Sequence, residues 1–446
     1  MLDRLSDPAL YVAAAERVRA RRSRAGDTTP LCDDGPQLAA MSGRLDVLAR
    51  RVARDVTRGR YRFGPVSRRS AYIEGKLRDL YVASPLDDIV LGALAEVLAE
   101  ALQPVWSQAL YSYRRGRSPQ AAIRALATYL RGHVETRPDP RSRALYVVRR
   151  DVRAYGEAIP AGSDSPLWTA LEQALRAVSI DPKPAFLAWL RSAFRPRERA
   201  GAAEACPERG IPTGSPLQPL ACNLYLSSLD AACTAVPDAF YARYGDDVLF
   251  AHPDHARALE AMHAIDAALA GLGLELNPTK SAAYYFTGAG RASEHACFRA
   301  ASSIDYLGMR VEFRGSLSLK REKLRALLGD VRTRLTASAR LVAADALTAR
   351  LAVSDRERAC ILCEVVNATL DVRAALAHPA AQLIHSLVDD RGQLRDLDYK
   401  LARLVAEAAS GRSGIRALRV YPPRKLRALG LRSLARARDR AMRHRA

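Results

Sequence analysis

Tyr244-Gly245-Asp246-Asp247 sets two carboxylates side by side behind an aromatic-glycine turn. Paired acids repel unless a cation neutralises them; the usual cation for an all-oxygen site is Mg²⁺, and its usual substrate is a phosphate. Successive side chains of a strand point to opposite faces, so only a turn lets adjacent aspartates converge. On its own, a Gly-Asp-Asp turn is more often a solvated bend. Two-metal phosphoryl transfer needs a further acid, and Asp151 closes the run Leu145-Tyr146-Val147-Val148-Arg149-Arg150. Alone, such an aspartate is more often a helix cap or a surface charge.

The elements that must position these acids are legible around them. Phe240-Tyr241-Ala242-Arg243 and Val248-Leu249-Phe250 read as the two strands of a hairpin with the acids at its tip. Between the acid sites lies Gly210-Ile211-Pro212-Thr213-Gly214-Ser215-Pro216-Leu217, a Gly/Pro loop entering the apolar run Pro219-Leu220-Ala221-Cys222-Asn223-Leu224-Tyr225-Leu226. Helices are expected at about 86–102, 118–132, 166–178 and 183–194, and Arg195 to Arg209 reads as a mobile loop above the site. Residues 1–60 read as helical and polar, with a loop at 26–30 and a disordered-looking patch around Cys32 to Pro36. After Arg314-Gly315, apolar spacings of three and four predict helices at Lys320 to Leu335, Ser354 to Leu370 and Leu394 to Ala408.

In this order the acid-bearing strand, the Gly/Pro loop and the Asp-Asp hairpin resemble motifs A, B and C of reverse transcriptases. Glu74-Gly75-Lys76-Leu77-Arg78 with Ser84-Pro85-Leu86-Asp87-Asp88 resembles the fingers segment of the bacterial enzymes, and Ser112-Tyr113-Arg114-Arg115-Gly116-Arg117-Ser118 resembles their Ser-Tyr…Arg-x-Gly-Arg-Ser run. Leu274-Glu275-Leu276-Asn277-Pro278-Thr279-Lys280-Ser281 resembles motif D, and Tyr306-Leu307-Gly308 the primer grip. The series covers about residues 60–315.

The resemblance implies an α+β right-hand polymerase fold, with fingers, a palm built on an antiparallel sheet, a thumb and an α-helical C-terminal extension. Its divisions are an N-terminal helical segment at 1–60, fingers and palm at 61–315, and a thumb with a basic extension at 316–446. It implies that Asp151, Asp246 and Asp247, with the Val152 carbonyl, hold two Mg²⁺ ions, Mn²⁺ being the alternative. Lys76 and Arg78 would contact the triphosphate, and Lys280 would protonate the pyrophosphate leaving group. Tyr155, Gly156, Thr213 and Gly214 would border the nucleotide. Arg114, Arg115, Arg117, Tyr306, Leu307, Gly308, Arg424, Lys425 and Arg427 would contact nucleic acid. For each basic residue, a solvated surface charge is the competing reading.

Two positions depart from the family pattern. Thr213 stands where most reverse transcriptases carry Gln, and Gly156 where an aromatic ring blocks a ribose 2′-hydroxyl. Either discrimination against ribonucleotides is weak, or Tyr155 closes the gap through a shifted turn.

Lys and Arg outnumber Asp and Glu by 69 to 48, a net charge of +21 that suits a polyphosphate partner. The stretch from Arg412 to Arg445 holds one acid, Asp439, and reads as a clamp for RNA or a template-primer duplex, or as an exposed basic helix. No run is apolar enough for a signal peptide or membrane span, and the 7 scattered cysteines fit a reducing cytoplasm, with Cys360 and Cys363 expected as buried helix thiols. All three tryptophans, Trp106, Trp168 and Trp189, precede Asp246, which disfavours a group II intron maturase. The remainder resembles the unknown-group and abortive-infection enzymes that defend bacteria against phages. The expected substrates and partners are deoxynucleoside triphosphates, a non-coding RNA template, a DNA primer or product, and a second protein or a further copy of the chain. A mobile-element enzyme, template-independent synthesis and a non-catalytic RNA-binding scaffold are the alternatives.

Overall fold

The computed structural model describes residues 2–24, 43–73, 76–137, 139, 143–200, 203–288, 296–348 and 353–443. The loop at 26–30, the patch at Cys32 to Pro36, and Glu74 and Gly75 lie outside these. The strands are β1 (Val66–Ile73), β2 (Lys76–Val82), β3 (Leu145–Asp151), β4 (Glu198–Ala200), β5 (Ala203–Ala205), β6 (Phe240–Tyr244), β7 (Asp247–His252), β8 (Ala282–Phe286), β9 (Arg299–Ala301), β10 (Ser303–Tyr306), β11 (Met309–Glu312) and β12 (Leu317–Leu319). Helices fill most of the remainder. The chain divides into two compact units. One takes Met1–Ala122, Leu145–Tyr285 and Glu294–Arg299, the other Ile123–Ala144, Phe286–Ser293 and Ala300–Ala446.

In the first unit, β6, β7, β3 and β8 lie side by side in that order. Every residue of β7 is buried, as expected for a strand flanked on both edges and covered on its faces. The helix His255–Gly271 packs on this sheet. It is capped by Asp254, which accepts from the Arg257 amide at 2.9 Å, and clamped to β3 by the Arg150–Asp266 pair at 2.6 Å. The helix Pro85–Ala101 starts at Ser84, whose hydroxyl accepts from the Asp87 amide, with Pro85 in the first turn. Asp87 and Asp88 are buried there: Asp87 accepts from Tyr61 Oη at 2.8 Å, and Asp88 pairs with Arg22 at 3.0 Å, tying down the helix Pro8–Arg24.

The four helices expected up to residue 194 are found at Pro85–Ala101, Pro119–Glu135, Pro166–Ala177 and Pro184–Phe194. Arg195 to Arg209 departs from a plain loop. It contains the β4–β5 hairpin, and β4 pairs parallel to β1 through Val66↔Glu198 and Ser67↔Arg199. Glu204 accounts for the difference, since it pairs with Arg197 at 2.8 Å and Arg199 at 3.3 Å across the hairpin, so the charges close the ladder.

In the second unit, β10, β11 and β12 form a meander, followed by the helices Arg321–Thr348, Asp355–Leu370, Pro379–Ser386, Arg391–Ser410, Gly414–Val420, Pro423–Ala428 and Leu434–Arg443. A reciprocal cap between Ser354 and Glu357 opens the second of these, and Gly411 at φ +67° closes the fourth. Asp389 joins sheet to helices by accepting from the Leu317 amide at 2.6 Å and pairing with Arg131 at 2.6 Å. Cys363 is buried as expected, whereas Cys360 is only half-buried. Among the described residues no helix is long and apolar enough to cross a membrane.

Candidate active site

The antiparallel register of β3 and β7 places Asp151 directly opposite Asp247, with Asp246 beside them in the β6–β7 turn. Gly245, at φ +64°, supplies the left-handed backbone that this turn requires. The three acids read from sequence therefore converge, each in a different electrostatic setting.

Asp151 is buried. It accepts from Lys280 Nζ at 3.1 and 3.2 Å and from Asn277 Nδ2 at 3.1 Å. Asp247 meets a guanidinium fork: Arg149 Nε donates to Oδ1 at 3.0 Å and Nη2 to Oδ2 at 2.7 Å. Burial pushes the Asp247 carboxyl above its ordinary range, and Arg149 opposes that push. Asp246 has no ion-pair partner among the described residues; burial, then the nearby Asp151, raise its pKa from 3.8 to about 6. Val152 forms an isolated bridge with Leu276 whose hydrogen bonds use the Asp151 carbonyl and the Arg153 amide, so the bridge does not consume the Val152 carbonyl.

The donor set, carboxylates plus a backbone carbonyl, suits a hard divalent cation, and the uncompensated Asp246 charge calls for one. No group of three or more acids, histidines or cysteines is preassembled as a metal cage among the described residues. Arg149 and Lys280 hold two of the three carboxylates.

The surrounding residues sort clearly. Thr213 links β2 to the loop, its carbonyl accepting from the Tyr81 amide at 2.9 Å, and Gly214 takes φ +99°. Tyr155 overturns the shifted-turn expectation: its ring is buried and its hydroxyl donates to the Cys222 carbonyl at 2.6 Å, so it is spent inside the core. The space beside Gly156 belongs instead to Gln218. A Cβ at 156 would lie 2.5 Å from Gln218 Nε2, which itself donates to Ile211 O and Thr213 Oγ1 at 3.3 Å each.

Arg114 is also a correction. It is turned inward, its Nη1 donating to the Ser107 and Leu110 carbonyls, so its guanidinium satisfies backbone instead of facing a ligand. Arg115 is exposed, and Arg117 stands 5.2 Å over the Tyr111 ring. Lys76 and Arg78 lie in β2. Tyr306, Leu307 and Gly308 form the β10–β11 turn of the second unit, with Tyr306 buried and positive φ at the other two. Lys425 stands 4.6 Å over Tyr421, and Arg424 and Arg427 are exposed.

Arg243, Arg149, Gln218 and Asn277 were not picked out from the sequence. Arg243 is fully buried beneath the turn. Its fork meets Asp230 at 2.6 and 2.7 Å, and it also donates to the carbonyls of Gly245 at 3.1 Å and Asn223 at 3.1 Å. Burial opposes its charge, but Asp230 prevails and its pKa rises. This one side chain ties the helix after the Gly/Pro loop to the aspartate turn. Asn223 adds a second tie, its amide exchanging hydrogen bonds with Ser112 at 2.9 and 3.0 Å.

Residues 164–311 match the family model described as reverse transcriptase (RNA-dependent DNA polymerase). The match takes in Thr213, Gly214, Asp246, Asp247, Lys280 and Tyr306, and Asp151 lies upstream of it. No curated protein matches the chain. Among solved structures, apo telomerase from Candida tropicalis truncated from the C-terminal domain is similar at 12% identity over 58% of this chain and 55% of that one, with a TM-score of 0.42. Telomerase from Candida albicans with a TWJ fragment of telomeric RNA is similar at 12% identity over 83% and 64%, with a TM-score of 0.45. The chain thus spans little more than half the length of the first of these. The fold is α+β, of the right-hand polymerase type, and the chain contains a reverse transcriptase domain, the domain of RNA-directed DNA polymerases and hence of a nucleotidyltransferase.

Proposed function

We propose that the chain is an RNA-directed DNA polymerase that adds deoxynucleotides at Asp151, Asp246 and Asp247 by two-metal nucleotidyl transfer. The observation that carries this reading is the opposed pair Asp151↔Asp247 with the uncompensated Asp246 between strands β6 and β7. Two divalent ions, Mg²⁺ first, would be held by these carboxylates and the Val152 carbonyl, and would supply charge stabilisation and activation of the primer hydroxyl. The chain's own residues do the remaining work. Arg149 and Lys280 neutralise the carboxylates before substrate arrives, and Lys280, half-exposed at the rim, is placed to hand a proton to the departing pyrophosphate. Gln218, filling the space beside Gly156, would be the group that meets the nucleotide sugar.

The template is a dedicated non-coding RNA and the setting cytoplasmic antiphage defence, with a second protein or a further copy of the chain as partner. The helical C-terminal extension supports that placement. The test is to purify the protein from cells carrying its native locus, supply Mg²⁺ and labelled nucleotides, and sequence co-purified and newly made strands beside Asp246→Ala/Asp247→Ala. DNA complementary to one co-purified RNA, absent from the mutant, is the expected result. Products without a template match, or products from both proteins alike, overturn it.

A further inference from the structure

The second unit contains an open cavity of about 430 Å³ between the helix Arg391–Ser410 and the segment Pro423 to Asp439. Its wall carries Arg395, Arg427, Arg432 and Arg436, together with Tyr399, which is 48% exposed. Arg395 and Tyr399 are one helical turn apart and share a face. The wall is rigidly built. Asp398 accepts from Ser433 Oγ at 2.6 Å and from the Leu434 and Ala435 amides at 2.8 and 3.3 Å, pinning the last helix to the long one. Asn367 fixes the other end, donating to Gly430 O and accepting from the Arg432 amide, both at 3.0 Å.

The acids at the cavity are already committed. Asp398 is spent on those three donors, which also takes up the open end of the last helix, and Asp439 pairs with Arg391 at 2.9 Å. Arg432 reaches only a distant Asp371 at 3.6 Å. Arg395, Arg427 and Arg436 have no ion-pair partner among the described residues, although this chain pairs many of its other arginines. Three uncompensated guanidinium forks around one nucleotide-sized cavity match phosphate oxygens, and an exposed tyrosine ring at the same wall matches the face of a base. An acidic peptide would use the forks but leave the ring without a flat partner.

We propose that this cavity binds a single-stranded nucleic-acid segment, with Arg395, Arg427 and Arg436 on its phosphates and Tyr399 stacked on a base. The site is separate from the polymerase reading and needs no catalysis. Its test is fluorescence anisotropy of a labelled single-stranded 12-mer with the full chain in EDTA, across a salt series. The variants are Arg427→Gln/Arg436→Gln, Arg436→Lys, Tyr399→Ala, and the charge-matched control Arg416→Gln/Arg419→Gln on the exposed face of Gly414–Val420.

The lining pair weakens binding by about tenfold or more and lowers the log–log salt slope by about one or more. Tyr399→Ala weakens binding severalfold and leaves the slope unchanged, because it removes stacking and no charge. Arg436→Lys keeps the slope while losing affinity, which separates loss of the fork from loss of fold. Equal weakening by the lining and control pairs overturns the proposal, since bulk charge then explains binding. Unchanged binding by Tyr399→Ala, or equal competition by poly-glutamate of matched charge, overturns it too.

Discussion

Asp246→Asn gives a sharp test of the electrostatics at the acid turn, because it separates stability from activity. In the folded chain Asp246 titrates at about 6, raised from 3.8. A shift of about two units corresponds to about 3 kcal/mol of strain carried by the ionised form. A raised folded pKa contributes stability that is fully present below 3.8 and is lost as pH rises through about 6. At pH 8 in EDTA, Asp246→Asn is therefore stabilised over the wild type by up to about 3 kcal/mol. The gain shrinks as pH falls through 6 and vanishes near pH 4, where the wild-type carboxyl is already protonated.

Urea unfolding of both proteins at pH 8, 6 and 4, followed by hydrogen exchange in the β6–β7 amides, reads this directly. Mg²⁺ stabilises the wild type at pH 8 and leaves the variant unchanged. Asp247→Asn gains less than Asp246→Asn, because Arg149 already offsets part of the burial cost that raises the Asp247 pKa. A pH-independent gain for Asp246→Asn, or destabilisation of both variants at pH 8, would show that the charge assignment is wrong.

Arg243→Met leaves Asp230 buried without its cation and should cost about 3–5 kcal/mol in urea unfolding, with Asp230→Asn restoring part of the loss. Gln218→Ala should lower the ratio of deoxy- to ribonucleotide kcat/KM by about tenfold, a change of roughly 1.4 kcal/mol. An unchanged ratio would remove Gln218 from sugar selection. Gly156→Ala alone forces the Gln218 amide aside and should slow incorporation, and the double variant Gly156→Ala/Gln218→Ala should recover it; additive losses would contradict the contact. At subsaturating Mg²⁺, kcat/KM should fall as pH drops through about 6, following protonation of Asp246.

The strands that carry the acids were readable because apolar runs and a Gly-Asp-Asp turn admit few other arrangements. The register that sets Asp151 against Asp247 joins β3 to β7, strands that are not consecutive, so hairpin geometry alone did not give it. The partners of those acids were not readable. In a chain with 69 basic residues, Arg149 and Arg243 look like any solvated arginine, and only the fold shows one gripping Asp247 and the other buried beneath the turn. Arg114 misled for the same reason in reverse, its motif position suggesting a ligand while its guanidinium serves backbone carbonyls. Gln218 lies five residues beyond Thr213, and only the helix after the Gly/Pro loop swings its amide back over Gly156. The β4–β5 hairpin escaped because charged side chains, with no β-branched residue among them, close its ladder.

The grip of Arg149 on Asp247 and of Lys280 on Asp151 makes the proposed centre behave as an ion exchanger. A divalent ion held by all three carboxylates would have to compete with two cations that the protein already owns. The displaced guanidinium and ammonium then need anions, which a triphosphate brings. Metal and nucleotide binding would thereby be linked, each tightening the other by the same factor, as reciprocity of coupled equilibria demands. At any fixed Mg²⁺ level, occupancy of the centre would follow nucleotide supply.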